Sequence, residues 1–172
     1  MTNGAVVVIS LPLALSIAGC CMGHARAPTT ETITIAGPGF TPDPTTTSAQ
    51  AGGTLEASAL VAMDVSGNGC GGRIPAVPQH TVRLVTALPL LRVLVNGSED
   101  TTLVVRAPSG SYYCNDDSGD PLNGLNPVVE IPSAAPGDYS VYVGAYSDGA
   151  MLSTYSIGFT ATPGTFPSQV VR

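Results

Sequence analysis

Short runs in which apolar and polar residues alternate, cut at close intervals by Gly, Pro and Asn, constrain this chain's fold more than any other feature. Successive side chains of a strand point to opposite faces, so a period of two means one face buried and one wet. The clearest run sets Tyr155, Ile157 and Phe159 against Thr154, Ser156, Gly158 and Thr160. Tyr139, Val141 and Val143 alternate with Ser140, Tyr142 and Gly144, and Leu103 and Val105 with Thr102, Val104 and Arg106. The spacing predicts strands over 54–60, 80–86, 90–95, 101–107, 127–131, 138–145 and 153–160, with 57–61 ambiguous. Turn signals stand between them at Asn96-Gly97, Pro108-Ser109-Gly110, Pro136-Gly137-Asp138 and Asp148-Gly149. No capped amphipathic helix and no internal repeat is evident. The expectation is an all-β chain, an antiparallel β-sandwich of one domain.

The 172 residues are 44% hydrophobic and 10% charged, too apolar for a disordered chain. A chain of this length buries about two thirds of its unfolded surface, so it needs no metal merely to fold. Acidic residues outnumber basic ones 12 to 6, and every basic residue is Arg, in no cluster. Nucleic acid and anionic membrane surfaces are met by Lys/Arg patches, so both are excluded as partners.

Residues 5–18 form an apolar stretch, interrupted by Pro12, that is too short to span a bilayer and suits a signal-peptide core. Its leading residues, Met1-Thr2-Asn3-Gly4, lack the usual Lys or Arg. Two cleavage sites compete within a signal segment of residues 1–27. Ile17-Ala18-Gly19-Cys20 has the form of a lipobox, with lipid attached at Cys20; Ala25-Arg26-Ala27 is an A-x-A site that would release a chain starting at Pro28. Beyond it, 28–53 reads as a Thr/Pro/Gly-rich arm with one short strand at 32–35, and 45–53 as a linker or long loop. The sandwich is expected over 54–162, followed by a flexible tail at 163–172. Export would leave Cys70 and Cys114 in an oxidising compartment, where a disulfide between them is expected, a free thiol being the alternative.

The order of short motifs from about residue 35 to 160 resembles the bacterial pre-peptidase C-terminal domain. The matching pieces are Asp100-Thr101-Thr102-Leu103-Val104-Val105, Pro108-Ser109-Gly110, Cys114-Asn115-Asp116-Asp117, Leu125-Asn126-Pro127, and the run from Gly137-Asp138-Tyr139 to Gly144. An envelope-associated subgroup is more similar still, through Gly39-Phe40-Thr41-Pro42-Asp43-Pro44, Gly52-Gly53, Cys70-Gly71-Gly72 and Pro78-Gln79-His80. The resemblance implies a jelly-roll-like β-sandwich and a non-catalytic role, and names no ligand. Related domains often carry Trp where Tyr142 stands, which weakens a stacking role there.

The most chemical segment runs from Asn115 through Asp116, Asp117 and Asp120 to Asn126. Ca²⁺ takes six to eight oxygen ligands, so these five residues are candidate ligands, with turn-making through backbone N–H groups as the alternative. No EF-hand pattern is present: Pro121 stands where such a loop needs Gly. His80 follows Pro78 at a strand start, where a hydrogen-bonded structural His is expected rather than a base. No G-x-S-x-G or H-E-x-x-H occurs, and the Gly67–Gly72 run lacks the Lys of a phosphate loop. No spacing among Glu56, Glu99, Glu130 and the Asp loop selects a glycosidase pair. Tyr112, Tyr113, Tyr139, Tyr142, Tyr146 and Tyr155 are read as core or rim rather than a sugar platform. Asn96-Gly97-Ser98 fits a sequon but is read as a hairpin turn.

The chain thus reads as no enzyme: an exported envelope binding or adhesion module, a surface lipoprotein or secreted and periplasmic, with a surface glycan or protein as partner. Membrane contact would come only through the lipid anchor. A structural subunit lending residues 32–35 to a neighbour's sheet is the alternative, and a hydrolase a remote one.

Overall fold

The computed structural model describes residues 30–170. The signal segment, Cys20 and both cleavage sites lie outside the described residues. Strands in chain order are β1 (Glu31–Ile35), β2 (Thr45–Gln50), β3 (Leu55–Glu56), β4 (Arg73–Ile74), β5 (His80–Leu84) and β6 (Leu88–Gly97). There follow β7 (Thr101–Arg106), β8 (Tyr112–Asn115), β9 (Val128–Ala134), β10 (Gly137–Ala145) and β11 (Thr154–Thr160). One helical turn, α1 (Ala57–Leu60), follows β3.

The strands form the expected all-β sandwich. One sheet runs β1-β5-β10 and continues through β7 to β8, with β4 and β3 attached to the end of β10. The other runs β2-β11-β6-β9. Every pairing between named strands is antiparallel except β1 with β5, which is parallel. Between β5 and β4 the Gln79 side chain stands in for a strand residue. Its amide accepts from Val143 N–H at 2.9 Å and donates to Val143 O at 2.8 Å.

The alternation dictates the core. Leu103 and Val105 of β7, Tyr139, Val141 and Val143 of β10, and Tyr155, Ile157 and Phe159 of β11 all face the space between the sheets. Both outer faces also carry buried residues. Outside the first sheet, Val104 packs with Ala57, Ile74 and the Cys70–Cys114 pair, beneath residues 55–74. Cys70 and Cys114 are joined in a disulfide, Cα atoms 5.4 Å apart. Its 44-residue separation corresponds to roughly 4 kcal/mol in the chain-entropy picture. Gly53 belongs to this cover, since a Cβ there would stand 2.1 Å from the Ile74 carbonyl oxygen.

Outside the second sheet, Leu94, Ser156 and Thr160 are buried, and residues 163–170 lie over this face through Arg92 and Asn96 of β6. That segment, expected as a flexible tail, is instead packed: Pro167 and Val170 are buried, and Asn96 Nδ2 donates to Val170 O at 2.8 Å. Gly158 makes room for it, because a Cβ there would lie 2.8 Å from Val170 Cγ2. The supposed linker at 45–53 is likewise mostly strand, β2 pairing with β11 along its length. Asn96-Gly97 is not a hairpin turn. Gly97 still pairs with Tyr155, and the chain then crosses to the opposite sheet to begin β7. Residues 57–60 are helical rather than strand.

Candidate functional site

Three of the five residues expected to bind a cation are committed to backbone groups. Asn126 is fully buried; its Oδ1 accepts from Gly97 N–H and Thr101 Oγ1, and its Nδ2 donates to Gly97 O. Asp120 is buried and accepts from the N–H groups of Leu122 and Ser168, at 2.9 and 2.7 Å. Burial pushes its carboxyl up, yet these bonds outweigh burial and hold it below the ordinary range. Asn115 Oδ1 accepts from Val128 N–H at 3.0 Å, tying β8 to β9. Of the five, Asp116 and Asp117 are left without a described backbone partner. Among the described residues no three His, Cys, Asp or Glu side chains are grouped as a metal site.

Asp116 and Asp117 lie close enough to Asp100, which precedes β7, for their charges to act on it. Asp100 Oδ1 is buried with no hydrogen-bond partner. Burial, and then the charges of Asp117 and Asp116, raise its carboxyl above the usual value. The Asp116 charge likewise raises the exposed Tyr146 hydroxyl. Sequence reasoning missed Asp100, since only the pairing of β7 with β8 brings it beside a loop sixteen residues away.

Beside this loop the sandwich has an open side, where the edge strands β8 and β9 face each other across a cavity of about 500 Å³. Tyr113 and Val129 lie toward the core, and Asp64, Asn68, Asp117 and Glu130 line it with Phe166. Asp64 straps the neighbouring loop over β8: it accepts from Ser66 N–H at 2.8 Å, Asn68 N–H at 2.9 Å and Cys114 N–H at 3.2 Å. Although burial pushes it up, those bonds hold its carboxyl low. Asp64-Val65-Ser66-Gly67-Asn68 is a recognisable Asx-turn pattern, the signal that could have flagged it. Arg92, buried on β6, donates through Nε to Glu130 Oε1 at 2.7 Å and through its guanidinium to Thr165 O.

No family model matches this chain, and no curated protein matches it. The resemblance to pre-peptidase C-terminal domains therefore rests on motif order.

On the opposite side of the sandwich His80, the only His among the described residues, is 1% exposed. Its Nε2 lies 2.8 Å from the Tyr155 hydroxyl, and its Nδ1 is 3.3 Å from Glu31 Oε2 without hydrogen-bond geometry. Burial lowers its pKa, the Glu31 charge opposing in part. The Tyr155 hydroxyl is raised by burial and by the Glu31 charge.

Neutralising a neighbour should release Asp100. In Asp117→Asn the Asp100 carboxyl should titrate lower than in the parent, read by carboxyl-carbon NMR. An unchanged midpoint would mean that burial alone sets it.

Proposed function

We propose that this protein is a non-catalytic, exported envelope binding module whose ligand occupies the groove between β8 and β9. The observation that carries the reading is that groove: a polar cleft of ligand size on an open side of the sandwich. The described side chains best suited to nucleophilic or base chemistry are committed elsewhere. His80 is buried against Tyr155, and both described cysteines are in the disulfide. The pre-peptidase-like motif order supports the same reading. A subunit lending residues 32–35 to a neighbour is disfavoured, because β1 already pairs with β5 and buries Ile33 and Ile35 in its own core.

Gly119 offers a clean test. It lines the groove, yet a Cβ there meets nothing within 4 Å. Gly119→Trp should leave the melting temperature unchanged and abolish retention on immobilised envelope glycans or peptides that hold the parent protein. Retention equal to the parent's would place the ligand elsewhere.

Ca²⁺ enters this reading as a weak contact of the acidic loop through Asp116 and Asp117, the two of the five loop residues whose carboxylates hold no described backbone group. Their two carboxylates suit a hard cation as donors, and the raised Asp100 carboxyl reports the repulsion that a cation there would relieve. At 100 times its dissociation constant Ca²⁺ would stabilise the fold by about 2.7 kcal/mol. Melting should rise in millimolar Ca²⁺, fall with chelator, and lose the response in Asp117→Asn. Equal melting temperatures with and without the ion would remove Ca²⁺ from the account.

Export and anchoring rest on Ile17-Ala18-Gly19-Cys20. Mass spectrometry of membrane-extracted protein should find a lipidated Cys20 at the mature N-terminus, and Cys20→Ala should release a soluble form. An unmodified Pro28 start in the parent would exclude the anchor.

A further inference from the structure

The groove has a backbone side as well as a side-chain lining. β9 is an edge strand, paired with β6 alone among the described strands. Its register fixes which of its amides are free. Val95 N–H bonds Pro127 O at 3.1 Å, so residue 127 turns its peptide groups toward β6. Val128 N–H bonds Asn115 Oδ1 at 3.0 Å, so residue 128 turns its own away. In an antiparallel ladder the two orientations alternate, which directs the N–H and C=O of Glu130 into the groove. Pro132 falls on the same outward set, and its missing N–H is the one that would face the opening.

A second cavity of about 200 Å³ continues the trough past Tyr113 and Pro132 as far as Ala135. The wall is acidic. Asp64, Asp117 and Glu130 stand against Arg92, whose guanidinium is already bonded to Glu130 and Thr165. Asp117 is exposed and accepts no hydrogen bond from the described residues.

We infer that the groove takes an extended peptide segment of a partner protein carrying Lys or Arg, laid along β9. Resting on the binding-module reading above, this names the ligand of the same site. One peptide residue exchanges both backbone hydrogen bonds with Glu130, and a basic side chain reaches Asp117. Asn115 at Val128 and the absent N–H of Pro132 confine the pairing to that short window. Edge addition supplies the main-chain part of such recognition, and pockets beside the strand supply its selectivity. The negative lining repels anionic segments and favours basic ones.

The mature chain, panned against a displayed library of random decapeptides, should enrich sequences with Lys or Arg in extended, Pro-free stretches. A synthetic winner should shift the amide resonance of Glu130 in the labelled protein. It should lose at least tenfold in affinity when N-methylated at its central residue, and at least tenfold against Asp117→Lys. Asp117→Asn, which keeps the side chain's shape, should lose less than Asp117→Lys. Winners without basic residues, a flat N-methyl scan, or resonance changes away from β9 would overturn the proposal. Neutral oligosaccharides that shift Glu130 while no peptide is enriched would overturn it and leave the binding-module reading standing. Silence from both libraries would sink both.

Discussion

Val104 and Leu94 point out of the sandwich, yet both are completely buried. A two-sheet sandwich ordinarily needs to bury only the faces between its layers, with polar residues outside. Here an aliphatic side chain on the outer face of each sheet requires a cover. Residues 55–74 lie over Val104 and residues 163–170 over the face that carries Leu94. The disulfide fastens the first cover to β8, and bonds from Arg92, Asn96 and Asp120 hold the second. Asp120 shows how far the requirement reaches, because a residue of the acidic loop is occupied in anchoring the C-terminal segment.

These covers leave part of the outer surface exposed, as at Arg83 and Asp138, and the sandwich has two open sides, each of which brings edge strands together. On one side β1 and β2 meet, and Glu31 accepts from Thr47 Oγ1 at 2.9 Å beside the buried His80 ring. That side is bridged by side chains, Gln79 Nε2 also donating to Gln50 O. On the other, Asn115 joins β8 to β9 at one point, and Asp64 shields the outer edge of β8. β9 keeps part of its edge free next to a cavity. Exposed edges invite unwanted pairing, and Pro132 and the Asn115 bond at Val128 are devices that limit it. The same features leave a short window in which a chosen partner can pair.

The main core was legible in the sequence because its residues obey a strict period of two. Tyr139, Val141 and Val143 face inward as the alternation requires, as do Leu103, Val105, Tyr155, Ile157 and Phe159. Strand 45–50 was hidden by its composition: Thr45, Thr46, Thr47 and Ser48 have no apolar alternation, and it is an edge held by β11 alone. The tail misled because Val170 is a single apolar residue, and its docking place is defined by the absence of a side chain at Gly158. Asn96-Gly97 carries a strong hairpin signal that tertiary context overrides, the next strand belonging to the other sheet. The acidic loop was visible as chemistry but not as geometry. Nothing local distinguishes Asn126, buried under Gly97, from Asp117, which faces solvent, and Asp100 joins them only through strand pairing.

The carboxylates separate by what holds them. Asp64 and Asp120 bind backbone N–H groups and Asp138 binds Arg83, and in each the hydrogen bonds prevail over burial and lower the pKa. A lowered carboxylate adds stability above the unfolded pKa of about 3.9 and loses it as the pH falls through the folded value. These groups therefore build the fold and have little left to offer a ligand. Asp100 has the opposite sign. Its raised pKa means that the ionised form is disfavoured in the folded chain above that value, a cost relieved as the pH drops through it or as positive charge approaches. Asp117 contributes to that cost while facing the groove. A cation at Asp116 and Asp117 or a basic side chain at Asp117 would offset the same repulsion, so the two proposals draw on one electrostatic source and their effects should be coupled rather than additive.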